Sequence, residues 1–234
     1  MSYQRYWELD FFRGLNVFFM IIYHIIFDLI YFNFLNWNIS SWYFQYFQKF
    51  IAISFIGVAG ISLSLAHKHK SSKEIIFRGL KIYSAGLVIT ILTLLFIPEQ
   101  FIFMGILHLI GLSIIISPLF SKFYKLNLII GIVLIILGFI VSSITVHSKI
   151  LLLLGFPYEG FRTLDYFPIF PWFGVFLIGL FIGKLLYEKI MLTIPQINSK
   201  LSFAFQKVSR KSLLVYLLHQ PIIIIILYIV KEIK

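Results

Sequence analysis

The 234 residues are 60% hydrophobic and 12% charged, and they include no cysteine. That balance excludes a soluble globular protein, in which about a quarter of the residues are charged, and it excludes disulfides, thiolate metal sites and thiolate nucleophiles. The formal net charge of +11 points to no nucleic acid, because the bases lie in short loops between apolar stretches, where the positive-inside rule puts them.

The first span is predicted over residues 9–31, after a short aromatic and polar lead-in that contains Arg5. It carries charges throughout and ends in no small-residue cleavage motif, so it reads as a retained span and not as a signal peptide. The stretch that follows holds Trp37, Trp42, Tyr43 and Tyr46, residues suited to the interfacial aromatic belt. The second span, 47–66, is rich in Gly57, Gly60, Ser62 and Ser64, small residues that let helices approach closely. Its end, HKHKSSK, marks the cytoplasmic side.

A third span over 75–97 has Arg78 and Lys81 in its first turns and stops before Pro98, in a short acidic external loop. The fourth, 101–120, contains GILHLIG with His108 and ends at the basic SKFYK. The fifth, 126–146, is plain apolar helix. Residues 147–168 form the longest external connection, too apolar for a solvated loop, and are expected to fold back over the external mouth. The sixth span, 169–187, begins beside PWFG; a loop with Lys189, Lys200, Lys207, Arg210 and Lys211 precedes the last span, 212–230. The expectation is an all-α polytopic transmembrane bundle of about seven spans. The N-terminus is cytoplasmic, the C-terminus external, and residues 1–234 form one domain in the cell membrane.

The first span holds the chemistry. ELDFFRGLNVFFMIIYHIIFD is apolar enough to cross a bilayer, yet carries Asp10, Arg13, Asn16, His24 and Asp28. An ionisable group at mid-membrane costs about 2.5–3.5 kcal/mol, so a segment that keeps several is a functional-site candidate. Asp10 and Arg13 are three apart and His24 and Asp28 four apart, offsets that share a helix face. Arg13 and His24 lie about three turns apart on that face, roughly 16 Å along the axis.

In this topology His24 and Asp28 fall in the outer half, where His108 and Asp165 are expected to join them. Neutral imidazole removing a proton from a hydroxyl or amine, with a carboxylate fixing its tautomer, is the chemistry this suggests. His219, in LLHQP, reads as a packing or helix-kinking residue beside Pro221. Near the cytoplasmic ends, Arg13, Arg78 and Lys81 have a geometry able to hold phosphates. No HExxH, GxGxxG or phosphate-loop motif occurs, and no metal is predicted.

Arg13-Gly14 followed by His24 gives the spacing R-x10-H, which resembles the first-span motif of the membrane acyltransferase-3 superfamily. ELDFFRGLNVFFMIIYHIIFDL, GILHLIG, LDYFPIFPWFG and SLLVYLLHQP together resemble the small prokaryotic members of the heparan-alpha-glucosaminide N-acetyltransferase catalytic-domain family. The resemblance implies transfer of an acyl group, usually acetyl, from cytoplasmic acyl-CoA to a hydroxyl or amine of a glycan or lipid-linked acceptor at the opposite face. It makes His24 the catalytic histidine, oriented by Asp28, and places Arg13, Arg78 and Lys81 near the CoA phosphates. His108, Asp165 and Trp172 then shape the acceptor pocket.

Acetyl-CoA enters as a donor substrate, membrane lipids surround the chain, and a homodimer is compatible with the pattern. Where the superfamily commonly has two arginines this chain has Arg78 and Lys81, and lysine keeps the charge but loses bidentate geometry. The lysosomal heparan enzymes align an asparagine with His24, so heparan itself is not carried over as the acceptor. A proton-coupled transporter and a non-catalytic membrane subunit stand as alternatives; against transport, the chain shows no inverted repeat.

Overall fold

The computed structural model describes residues 6–192 and 194–233; Arg5 lies outside them. Among the described residues every long element is helical: α1 (Trp7–Tyr31), α2 (Trp42–Ala66), α3 (Ser72–Phe96), α4 (Ile106–Phe120), α5 (Lys125–Val141), α6 (Ile169–Lys184), α7 (Lys200–Arg210) and α8 (Ser212–Ile233). By length and composition α1, α2, α3, α6 with its π-helical extension to Lys189, and α8 are able to cross a membrane, while α4 and α5 are shorter apolar helices. Their outer faces are greasy: Phe96 is 79% exposed and Phe139 73%, an arrangement that water would penalise and lipid tails accept.

Two compact units divide the chain, one running up to Phe55 and again from Ile194 onward, the other from Ile56 to Leu192. The division falls within α2.

In the first unit α1 packs against α7 and α8. Val17, Met20, Tyr23, Phe44 and Ile51 form its buried core, flanked by Val208, Val215 and Tyr216. Close approach of α7 depends on Gly14: a Cβ there would collide with the backbone carbonyl of Phe205. Phe11 meets the Phe205 ring edge-on at 5.3 Å, and Trp7 Nε1 donates to the Ile194 carbonyl at 2.9 Å.

The stretch before α8, expected to be a basic loop, contains α7, an 11-residue helix whose first turn is capped by Ser199 accepting from the Ser202 amide. Its lysines and arginine signalled a cytoplasmic loop, but the buried residues Ser202, Gln206 and Ser209 recur at i, i+4 and i+7, the helical period.

In the second unit α3 pairs with α4 and α5 with α6. Gly131 and Gly174 face each other across α5 and α6, each leaving room for the other's carbonyl. Ser71 and Glu74 start α3 with a reciprocal capping box, which satisfies two of the amides a helix start leaves without partners.

Helix α4 begins at Ile106, later than the expected 101, because the residues before it pair with the long connection. Phe167 N–H donates to the Met104 carbonyl at 2.7 Å, and Leu164 N–H to that of Gln100 at 3.1 Å. The connection itself is ordered by a 3-10 helix at Lys149–Leu154, ended by Gly155 at φ 109°, a left-handed conformation that glycine adopts without steric cost. Tyr166 Oη donates to the Leu152 carbonyl at 2.5 Å.

Candidate functional site

In the first unit α1 and α8 together carry a polar cluster in which Asp28 and His219 are buried and His24 and Gln220 half-buried. His24 and His219 meet with ring centroids 4.9 Å apart and planes inclined at 61°. One turn further along α1, Asp28 is buried and accepts from Gln220 Nε2 at 2.9 Å on both carboxylate oxygens. The expected His24–Asp28 pairing is thus replaced by two cross-helix pairs, His24 with His219 and Asp28 with Gln220. Consecutive residues of α8 meet residues one turn apart on α1.

The α8 residues are held locally. Nδ1 of His219 lies 2.6 Å from the Tyr216 carbonyl oxygen, three residues back on the same helix. A carbonyl only accepts, so Nδ1 carries the hydrogen, and in the neutral ring Nε2 is left as an acceptor. Pro221 follows inside the helix; it lacks an N–H, so the Leu217 carbonyl loses its usual donor and the turn is loosened. His219 Nε2 and Gln220 Oε1 are both buried and have no hydrogen-bond partner among the described residues.

Toward the start of α1, Asp10 is buried and its Oδ1 accepts from Arg13 Nη1 at 3.2 Å and from Ser209 Oγ at 3.1 Å. Arg13 Nη1 also donates to Ser209 Oγ at 3.3 Å. The intramembrane cation of the R-x10-H spacing is therefore bound to a carboxylate and to the last turn of α7.

The second unit contains the remaining predicted positions. His108 is fully buried with both ring nitrogens engaged. Nδ1 accepts the Gly105 amide at 3.2 Å, and Nε2 lies 3.2 Å from Thr90 Oγ1, which donates in turn to the Ile102 carbonyl at 2.6 Å. Gly86 makes room for the ring, since a Cβ there would stand 3.0 Å from it. Asp165 Oδ2 accepts the Ile106 amide at 3.0 Å, so both residues cap the start of α4, where unpaired amides and the helix dipole favour acceptors. Burial pushes the Asp165 carboxyl up to about 6, against the lowering effect of that amide. The Trp172 ring packs on Phe167 at 4.8 Å. Arg78 and Lys81 are exposed, Lys81 resting its ammonium over the Phe77 ring at 4.6 Å. Among the described residues no group of three or more His, Asp or Glu side chains is gathered to hold a metal ion.

Two residues of the cluster, His219 and Gln220, were not singled out as functional in the sequence. The signal was present in the HQP tripeptide, two polar residues ahead of an intrahelical proline, but its meaning depends on which helix packs beside α8.

No curated protein and no solved structure matches the chain. The family model described as heparan-alpha-glucosaminide N-acetyltransferase, catalytic, matches residues 5–221, a span that takes in the whole of α1 and reaches Pro221, just past His219 and Gln220. With nearly all of its length covered, including α1 and the part of α8 that carries His219 and Gln220, the chain belongs to that transferase family.

Proposed function

We propose that the chain is a membrane acyltransferase that moves an acetyl, or another acyl, group from cytoplasmic acyl-CoA to a hydroxyl or amine at the opposite membrane face. The acceptor class is a glycan or lipid-linked sugar. In this reading α4 and α5 cross the membrane with the five longer helices, giving seven spans with the N-terminus inside. The loops that contain Lys68, Lys70 and Lys122, and the helix starts at Lys73 and Lys125, then lie on the cytoplasmic side, as the positive-inside rule expects.

The observation that carries the proposal is the imidazole pair, His24 against the buried His219, beside Asp28 and Gln220 in a chain of an acetyltransferase family. Imidazole is the side chain best matched to moving a proton near neutral pH, and acyl transfer from a thioester to a hydroxyl or amine requires one proton to leave the nucleophile and one to reach sulfur. His24 is the histidine assigned to the reacting carbonyl. Asp28 acts through Gln220, fixing α8 against α1, and is a positioning residue. For the donor's phosphates we keep the cation at Arg13.

The sidedness is tested in proteoliposomes with glucosamine trapped inside and acetyl-labelled acetyl-CoA outside. Glucosamine offers both an amine and hydroxyls. Labelled acetyl-glucosamine accumulating in the lumen supports the proposal, while product confined to the outer medium contradicts transfer across the membrane.

A further inference from the structure

We propose that His219 is the base that takes the proton from the acyl acceptor, an assignment that rests on the acyltransferase reading above. Three observations converge on it. Its Nδ1 hydrogen is committed to the Tyr216 carbonyl at 2.6 Å, which fixes the tautomer and leaves the lone pair on Nε2. That Nε2 is buried without a partner among the described residues, in a side chain only 7% exposed. The ring stands against His24, 4.9 Å away.

Leaving a buried acceptor unmade is costly, and an orphaned buried group of this kind calls for an explanation. The neighbouring orphan, Gln220 Oε1, has the same polarity: it accepts and cannot donate, because the amide nitrogen is committed to Asp28. Two bare acceptors on consecutive residues are complementary to a ligand that brings O–H or N–H groups. At the reacting end that is the chemistry of a hydroxyl or amine nucleophile and not of the thioester group, whose sulfur and carbonyl donate nothing. His219 and Gln220 therefore belong to the acceptor, Gln220 by holding a second donor of the same molecule.

The acceptor's O–H or N–H proton passes to His219 Nε2 as its oxygen or nitrogen bonds to the thioester carbonyl carbon; the C–S bond then breaks, and the proton leaves His219 for the CoA sulfur. Acylated acceptor and free CoA are formed, and His219 returns neutral.

The test uses the full chain in nanodiscs with acetyl-CoA and glucosamine, following free CoA and acetyl-glucosamine for wild type, His219→Gln and His219→Ala. The glutamine variant guards against a folding artefact, since its amide N–H is able to donate to the Tyr216 carbonyl while carrying no base; all proteins are compared at matched thermal unfolding. The expected result is a loss of kcat of about 10²–10⁴-fold in both variants, with KM for acetyl-CoA unchanged, and partial recovery of His219→Ala alone on adding free imidazole. Full turnover by folded His219→Gln overturns the assignment while leaving the acyltransferase reading intact. An inactive wild type overturns both.

Discussion

The amide of Gln220 spans both carboxylate oxygens of Asp28, 2.9 Å from each, and so joins α8 to α1 one turn from the histidine pair. The contact satisfies a carboxylate that is buried in an otherwise apolar segment. Gln220→Ala is expected to lower stability by about 1–3 kcal/mol, because the carboxylate is left without its donor. Adding Asp28→Asn to that variant should recover part of the loss, a neutral amide being less costly to bury than a charge. Thermal unfolding in detergent reads both effects, and an unchanged midpoint for Gln220→Ala would contradict the role given to the pair.

Gly14 is where α7 comes closest to α1, its missing side chain occupied by the Phe205 carbonyl. In an exposed helix Gly→Ala stabilises by up to about 1 kcal/mol. Here the sign reverses: Gly14→Ala must push α7 away and strain the Asp10–Arg13–Ser209 contacts, an overpacking cost of about 1–3 kcal/mol. Limited trypsin digestion should cut at Lys207 and Arg210 faster in the variant. Equal rates would show that α7 is held by something other than this approach.

Asp165 gives a pH signature. Its carboxyl is raised by burial from the model-compound value of 3.8 to about 6, so the fold binds the proton more tightly than the unfolded chain does. The stabilisation from that proton is present in full below about pH 4 and is lost as pH rises through 6. Asn in its place still accepts the Ile106 amide but does not titrate. The unfolding midpoint of wild type, measured against Asp165→Asn, should fall between pH 4 and 7; parallel curves would refute the shift.

Much of the first unit was legible in the residues. Apolar runs with polar punctuation placed the long helices to within a few positions, since α-helical runs of this length leave few alternatives in a bilayer. The i, i+3 offset of Asp10 and Arg13 predicted a shared face, and the ion pair at 3.2 Å lies on it.

What escaped was reversed polarity and helix adjacency. In α7 the polar side, Ser202, Gln206 and Ser209, is buried, whereas Leu201 and Phe203 are 63% and 51% exposed. A rule that sends apolar side chains inward therefore misses the helix. His24 and Asp28 looked like a pair because they are four apart, but Gln220, 192 residues away, is the better-placed donor to the carboxylate. His108 resembled a pocket residue until the Gly105 amide and Thr90 were seen to occupy both ring nitrogens.

Thioester chemistry at the imidazole pair is measured most directly by CoA release. Purified protein in nanodiscs, supplied with acetyl-CoA and glucosamine, should release free CoA, and His24→Ala of matched thermal stability should lose that release by about 10²-fold or more. Equal release by wild type and His24→Ala would remove His24 from the reaction, and no release by either would contradict the acyltransferase account itself.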